Sequence, residues 1–166
     1  MQVDLGPDVA GQLSRLVAQE LPGGRGLAAW RSLLLAHATL MRQLEIALVR
    51  ETGLALADFD VLALLARAGG RLRMTELAAQ ALMSRSGLTR RVGRLVDEGL
   101  VCRNNVEADA RGVVVALTAA GLDRLTETAP VHFRGVARLF VARLDDHELA
   151  SLKIALDKVI VDCTFG

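Results

Sequence analysis

Residues 75–99 read TELAAQALMSRSGLTRRVGRLVDEG, and this stretch decides the fold. Thr75 has the side chain of a helix N-cap, so the pattern predicts a short helix over residues 76–82. Ser84 supplies a second cap. After it Leu88, Val92, Leu95 and Val96 recur at the spacing of one helix face, predicting a helix over 85–98 that Gly99 closes. Two short helices separated by a tight turn form a helix-turn-helix. By the same period Arg85, Ser86, Thr89, Arg90 and Gly93 fall on the face opposite the leucines.

Working outward, residues 100–106 and 113–117 are two β-branched runs around a charged, glycine-containing turn at 107–112, the pattern of a hairpin. Upstream, Trp30, Leu34, His37, Met41, Leu44 and Leu48 repeat at spacings of four and three, predicting one long helix over 27–52. A second helix is expected over 57–68, with Phe59, Leu62, Leu65 and Ala66 inward and Asp58 adding favourable charge to its first turn. Downstream, Thr118 caps a helix over 119–143 that Pro130 should kink. Asp145 and Glu148 form a capping box for a helix over 146–162. The expected fold is mainly α with a small antiparallel β wing. Residues 1–26 read as an N-terminal extension, 27–53 and 118–166 as a helical dimerisation region, and 54–117 as a winged helix-turn-helix.

Composition agrees. Of 166 residues, 52% are apolar but only 3% aromatic, so the apolar content is Leu, Ala and Val, which favours helices. That much apolar surface also suggests burial against a partner. No uninterrupted apolar run approaches the roughly 18 residues of a membrane span, and the N-terminus, with Asp4 and Asp8, does not resemble a secretory signal. Two cysteines make no disulfide framework. A reduced, cytoplasmic protein that does not engage a membrane is expected.

The net charge of +1 is uninformative, but its distribution is not. Between residues 83 and 96 stand Arg85, Arg90, Arg91 and Arg94 with no acid, while the segment after residue 144 is acidic. A helix that reads a duplex uses its N-terminal residues. Here those are Arg, which can bond two acceptors on guanine, and Ser and Thr, which bond bases or phosphates. Arg91 and Arg94 flank that face and suit phosphates. Gly87 removes bulk and would let the helix sit close to DNA. Arg111, at the hairpin tip, suits the negative potential of a narrow minor groove, with Asp109 placed to hold it.

The chain resembles the MarR (multiple antibiotic resistance regulator) family of bacterial transcription factors. The resemblance is carried by Met74-Thr75-Glu76-Leu77-Ala78, by Ser84 to Arg90, by Leu95 to Val101, by Asp109-Ala110-Arg111-Gly112 and by Leu117 to Gly121, and it spans roughly residues 27–162. The family usually has Arg where Ala110 stands, which removes one phosphate contact from the wing. The resemblance implies a homodimer in which the first long helix and the last two pack against their symmetry mates. Two recognition helices then read a pseudo-palindrome in double-stranded DNA. It further implies a repressor that releases DNA on binding a small aromatic or phenolic acid. The sites expected from sequence are Thr75, Ser84, Arg85, Ser86, Gly87, Thr89, Arg90, Arg91, Arg94, Asp109 and Arg111 for DNA, and Trp30, His37 and Met41 for the effector.

Other readings stand beside these. The arginine cluster alone could be a solvated helix face, or part of a winged-helix module for protein–protein contact. The chain could also be a small-molecule binding protein that has lost DNA binding. His37 and His132 could be core or interface histidines. No metal and no cofactor are expected, because the histidines are far apart in sequence and no cofactor motif is present. Cys102 and Cys163 could serve thiol-based redox sensing, which needs an accessible, acidified thiol. No catalytic motif appears, so the chain is not expected to be an enzyme.

Overall fold

The computed structural model describes residues 9–21, 25–105 and 113–165. The chain divides into two units, Met1–Met41 and Arg42–Gly166. The first holds α1 (Val9–Glu20) and most of α2 (Arg25–Thr52). α1 exposes Leu13 and Leu16, and α2 exposes Trp30, Leu33, Leu34 and Leu35.

The second unit is built around the end of α2. α3 (Leu56–Arg67) follows, then a three-residue strand β1 (Arg71–Arg73), α4 (Met74–Gln80) and α5 (Arg85–Asp97). β2 (Val101–Asn105) and β3 (Val113–Leu117) form the wing, and α6 (Ala119–Leu139) and α7 (Asp146–Phe165) complete the chain, with a 3-10 turn at Val141–Arg143 between them. The sheet is antiparallel with order β1-β3-β2. Leu72 faces Val115 across one pair, and Arg103 faces Val115 across the other.

One core holds this unit together. Leu44 and Leu48 of α2, Phe59, Val61, Leu62 and Leu65 of α3, Leu77 of α4, Leu88, Val92 and Leu95 of α5, and Val101 and Val115 of the wing are all buried in one cluster. Burying a leucine of this kind contributes about 2 kcal/mol. The helical periods foresaw most of these residues. They missed that Val61 and Asp58 share the inward face of α3.

The ends of the elements follow from local chemistry. Ser84 accepts a hydrogen bond from the Gly87 N–H at 3.1 Å, and Thr118 accepts one from Gly121 at 3.0 Å. Asp145 and Glu148 form the expected reciprocal box, at 2.8 and 2.9 Å. Gly99, with φ +72°, turns the chain out of α5 and into the wing. Residue 121 must be glycine for a steric reason: a β-carbon there would stand 2.0 Å from the Leu100 carbonyl oxygen.

Three expectations change. Thr75 is not a cap. α4 begins at Met74, and its N-terminus is held instead by Glu76, whose carboxylate accepts from the Arg73 N–H at 3.1 Å. β1 was not foreseen, since three residues carry too little period. The helix expected to reach residue 143 ends at Leu139, although it runs through Pro130. α2 is also long and apolar: an 18-residue window within Gly26–Thr52 has a mean hydropathy of 1.3 and is 11% buried, which meets the length and composition of a membrane-crossing helix. No apolar run within it is uninterrupted over that window; it reaches this mean despite scattered charges. Its C-terminal end is a core element, through Leu44 and Leu48.

Candidate nucleic-acid interface

α5 is amphipathic to the point of having two functions. Its inner residues Leu88, Val92 and Leu95 are fully buried. They fix the helix on α3 and α4, so the opposite face cannot roll inward. On that face Arg85, Ser86, Thr89 and Arg90 are exposed. Among the described residues no carboxylate pairs with Arg85 or Arg90, and the first turn contains no acid. Arg85 stands in the first turn, where the helix dipole is also positive, and Arg90 follows on the same face, an arrangement that attracts anions.

The polar groups between them are ordered. Ser84 is occupied by its cap, and its hydroxyl lies 3.4 Å from that of Ser86. Thr89 donates to the Arg85 carbonyl at 2.8 Å, which fixes its rotamer. A β-carbon on residue 87 would meet the Ser84 hydroxyl at 3.0 Å, so glycine there leaves room for the cap. Thr75 lies exposed in the first turn of α4.

Arg91 and Arg94 do not join this face as free cations. Arg91 donates to Asp58 Oδ1 at 2.7 Å, and Arg94 spans both Asp58 oxygens at 2.7 and 2.6 Å. Asp58 is buried, and its hydrogen bond holds the Arg94 guanidinium even more firmly protonated than usual. Both arginines, expected from sequence to suit phosphates, are bonded to Asp58 and tie α5 to α3. The signal was available, because Asp58 lies three, four and seven residues before Val61, Leu62 and Leu65. An acid on that face needs a cation.

Sequence reasoning also missed Arg103. From β2 it reaches across and donates to the Thr89 carbonyl at 2.9 Å, linking the wing strand to α5. Nothing in the local pattern marks it, because the contact spans fourteen residues. Asp109 and Arg111, expected at the wing tip, lie outside the described residues, as does the side chain of Cys163. Cys102 is a half-buried free thiol on β2.

The residues expected to line an effector site are placed as follows. Trp30, His37 and Met41 are all exposed along α2 within the chain. His132 of α6 is half-buried instead: its ring stacks on Phe59 with centroids 4.5 Å apart and meets Phe133 edge-on at 5.3 Å. Its Nδ1 is buried without a hydrogen-bond partner. Burial holds its pKa below the ordinary imidazole value, with nearby Asp60 opposing.

The MarR family model matches residues 52–112, from the end of α2 through β2 and up to the start of β3. The same fold is found in AbsC, a MarR family transcriptional regulator from Streptomyces coelicolor. It is 33% identical with a TM-score of 0.78, the match covering 84% of this chain and 95% of that one. The chain is a member of the MarR family. A second MarR family regulator of Streptomyces coelicolor, solved in complex with DNA, is 35% identical with a TM-score of 0.77, over 84% of this chain and 91% of its own. A mutant of the Escherichia coli MarR protein complexed with operator DNA is 28% identical with a TM-score of 0.71, over 87% and 97%. No curated protein matches the sequence. As a MarR family protein the chain is a DNA-binding transcriptional regulator, and α4 and α5 with the wing are its winged helix-turn-helix.

Proposed function

We propose that this MarR-family chain is a ligand-responsive repressor that binds a pseudo-palindromic operator as a homodimer. The observation that carries the reading is the outward face of α5, where Arg85 and Arg90 stand exposed beside Ser86 and Thr89. In this reading Arg90 and Arg85 read base edges from the major groove. Ser84, Ser86, Thr89 and Thr75 bond phosphates or bases, and Gly87 allows close approach. Arg111, supported by Asp109, enters the minor groove. Two relatives of 35% and 28% identity are bound to DNA in their own structures, which supports the assignment.

The homodimer is supported by apolar surface left open in the single chain. Leu13, Leu16, Trp30, Ile154, Val159 and Ile160 are each more than half exposed. Residues 27–53 and 118–166 form the dimerisation region in this account, and 54–117 the DNA-binding domain. Pairing would set two copies of α5 about one helical turn of DNA apart. The effector class is a small aromatic or phenolic acid taken up beside Trp30, His37 and Met41, one strip of α2. Such a ligand releases DNA only if it binds the two spacings of the DNA-binding domains with different affinity. Acting on chromosomal DNA, the protein works in the cytoplasm.

A titration of DNA from upstream of the coding region, against a scrambled duplex, tests the reading. Saturable binding of one dimer per inverted repeat, with weaker binding to the scrambled duplex, is expected. Equal binding to both, or none at low salt, would contradict it.

A further inference from the structure

We propose that Asp58 is a specificity-determining residue: by holding Arg91 and Arg94 it withholds two cations from the DNA backbone, leaving Arg85 and Arg90 as the cations that α5 offers to DNA. The inference rests on the DNA-binding reading above. α5 carries four arginines, and non-specific affinity is set by how many phosphates such cations neutralise. A helix presenting all four would grip any duplex.

The geometry removes two of them from that role. Asp58 is 4% exposed, on the same face of α3 as Val61, Leu62 and Leu65. Its Oδ1 takes both Arg91 and Arg94 and its Oδ2 takes Arg94 again. For either arginine to leave for a phosphate, a buried carboxylate must lose a partner, which is costly. The arrangement is asymmetric, however. The Arg91 and Arg94 side chains are 25% and 51% exposed against 6% for Asp58. If the carboxylate is neutralised, both guanidinium groups already have a route to solvent and to DNA. Removing an arginine instead strands a buried charge.

That asymmetry gives a test in which the fold survives. Wild type, Asp58→Asn and the triple variant Asp58→Asn/Arg91→Gln/Arg94→Gln are checked for native circular dichroism and dimer content. Their binding to a duplex without an inverted repeat is then measured across a salt series. Each phosphate contact adds about 0.9 to the slope of log affinity against log salt. Asp58→Asn is expected to steepen the slope by about 1 to 2, an extra loss of about 3.5-fold per freed arginine between 50 and 200 mM salt. It should also bind this duplex more tightly at low salt. The triple variant is expected to keep the wild-type slope although two arginines have gone. A slope unchanged in Asp58→Asn, or made shallower in the triple variant, overturns the inference, since the arginines would then have been on phosphates throughout. If wild type binds no duplex at low salt, the functional reading fails and this inference with it.

Discussion

The Arg103 guanidinium on β2 donates to the main-chain carbonyl of Thr89 in the middle of α5, at 2.9 Å. The wing and the candidate recognition helix are thereby joined by a side chain as well as by the core beneath them. Its charge also passes Gly93, where a β-carbon would stand in ordinary contact with the guanidinium at 3.6 Å.

Replacing Arg103 by Ala should loosen this link while disturbing little else. A charge-assisted hydrogen bond is worth about 1–2 kcal/mol when shielded, and less at an exposed site such as this one. We expect operator affinity to fall several-fold while the thermal midpoint changes little. Unaltered affinity in a binding titration would assign Arg103 no part in positioning α5.

Gly121 and Gly135 should respond differently to alanine. A β-carbon at 121 meets the Leu100 backbone at 2.0 Å, whereas one at 135 meets only the end of the Leu44 side chain, at 2.7 Å. Backbone cannot step aside as a leucine methyl can. Urea denaturation should show a loss of about 3 kcal/mol for Gly121→Ala and about 1 kcal/mol for Gly135→Ala. Equal losses would mean that the junction of α5, wing and α6 is softer than its contacts suggest.

Leu82, in the turn between α4 and α5, has φ +52° and is 93% exposed. A side chain there strains the backbone and gains almost no burial. Leu82→Gly relieves the strain at some cost in unfolded-chain entropy, and should stabilise the fold by about 0.5–1 kcal/mol. A lower midpoint in urea would show that Leu82 packs on something in the assembled protein.

Stability should also depend on pH through His132. Burial against Phe59 holds its folded pKa below the unfolded value of 6.5, with Asp60 partly opposing. In the window between the two values the unfolded chain binds more protons, so stability is full above pH 6.5 and is lost as pH falls below it. His132→Phe should remove this acid-side loss. Its persistence in that variant, measured by urea midpoints at a series of pH values, would place the titrating group elsewhere.

The fold was legible where one residue period governs a whole element. Leu88, Val92 and Leu95, the Ser84 and Thr118 caps and the Asp145–Glu148 box are all local signals, and each stands where the spacing puts it. β1 was not legible, because its strand identity comes only from pairing with β3 some forty residues on. The candidate site divides the same way. That Arg85, Ser86, Thr89 and Arg90 share an outward face follows from the helical period. That Arg91 and Arg94 turn to Asp58, and that Arg103 reaches Thr89, depends on tertiary packing. An acid on the apolar face of α3 is the one clue, and its place in the first turn of that helix offers a second, purely local reason for it.

The most direct test of the account is the affinity of Arg90→Ala for an operator that wild type binds, measured by fluorescence anisotropy on folded dimer. Loss of a base-reading arginine should cost about 1–3 kcal/mol, or roughly 5- to 150-fold in Kd, and relax discrimination at one base pair of each half-site. An Arg90→Ala dimer that binds and discriminates like wild type would show that the outward face of α5 is not what reads the DNA.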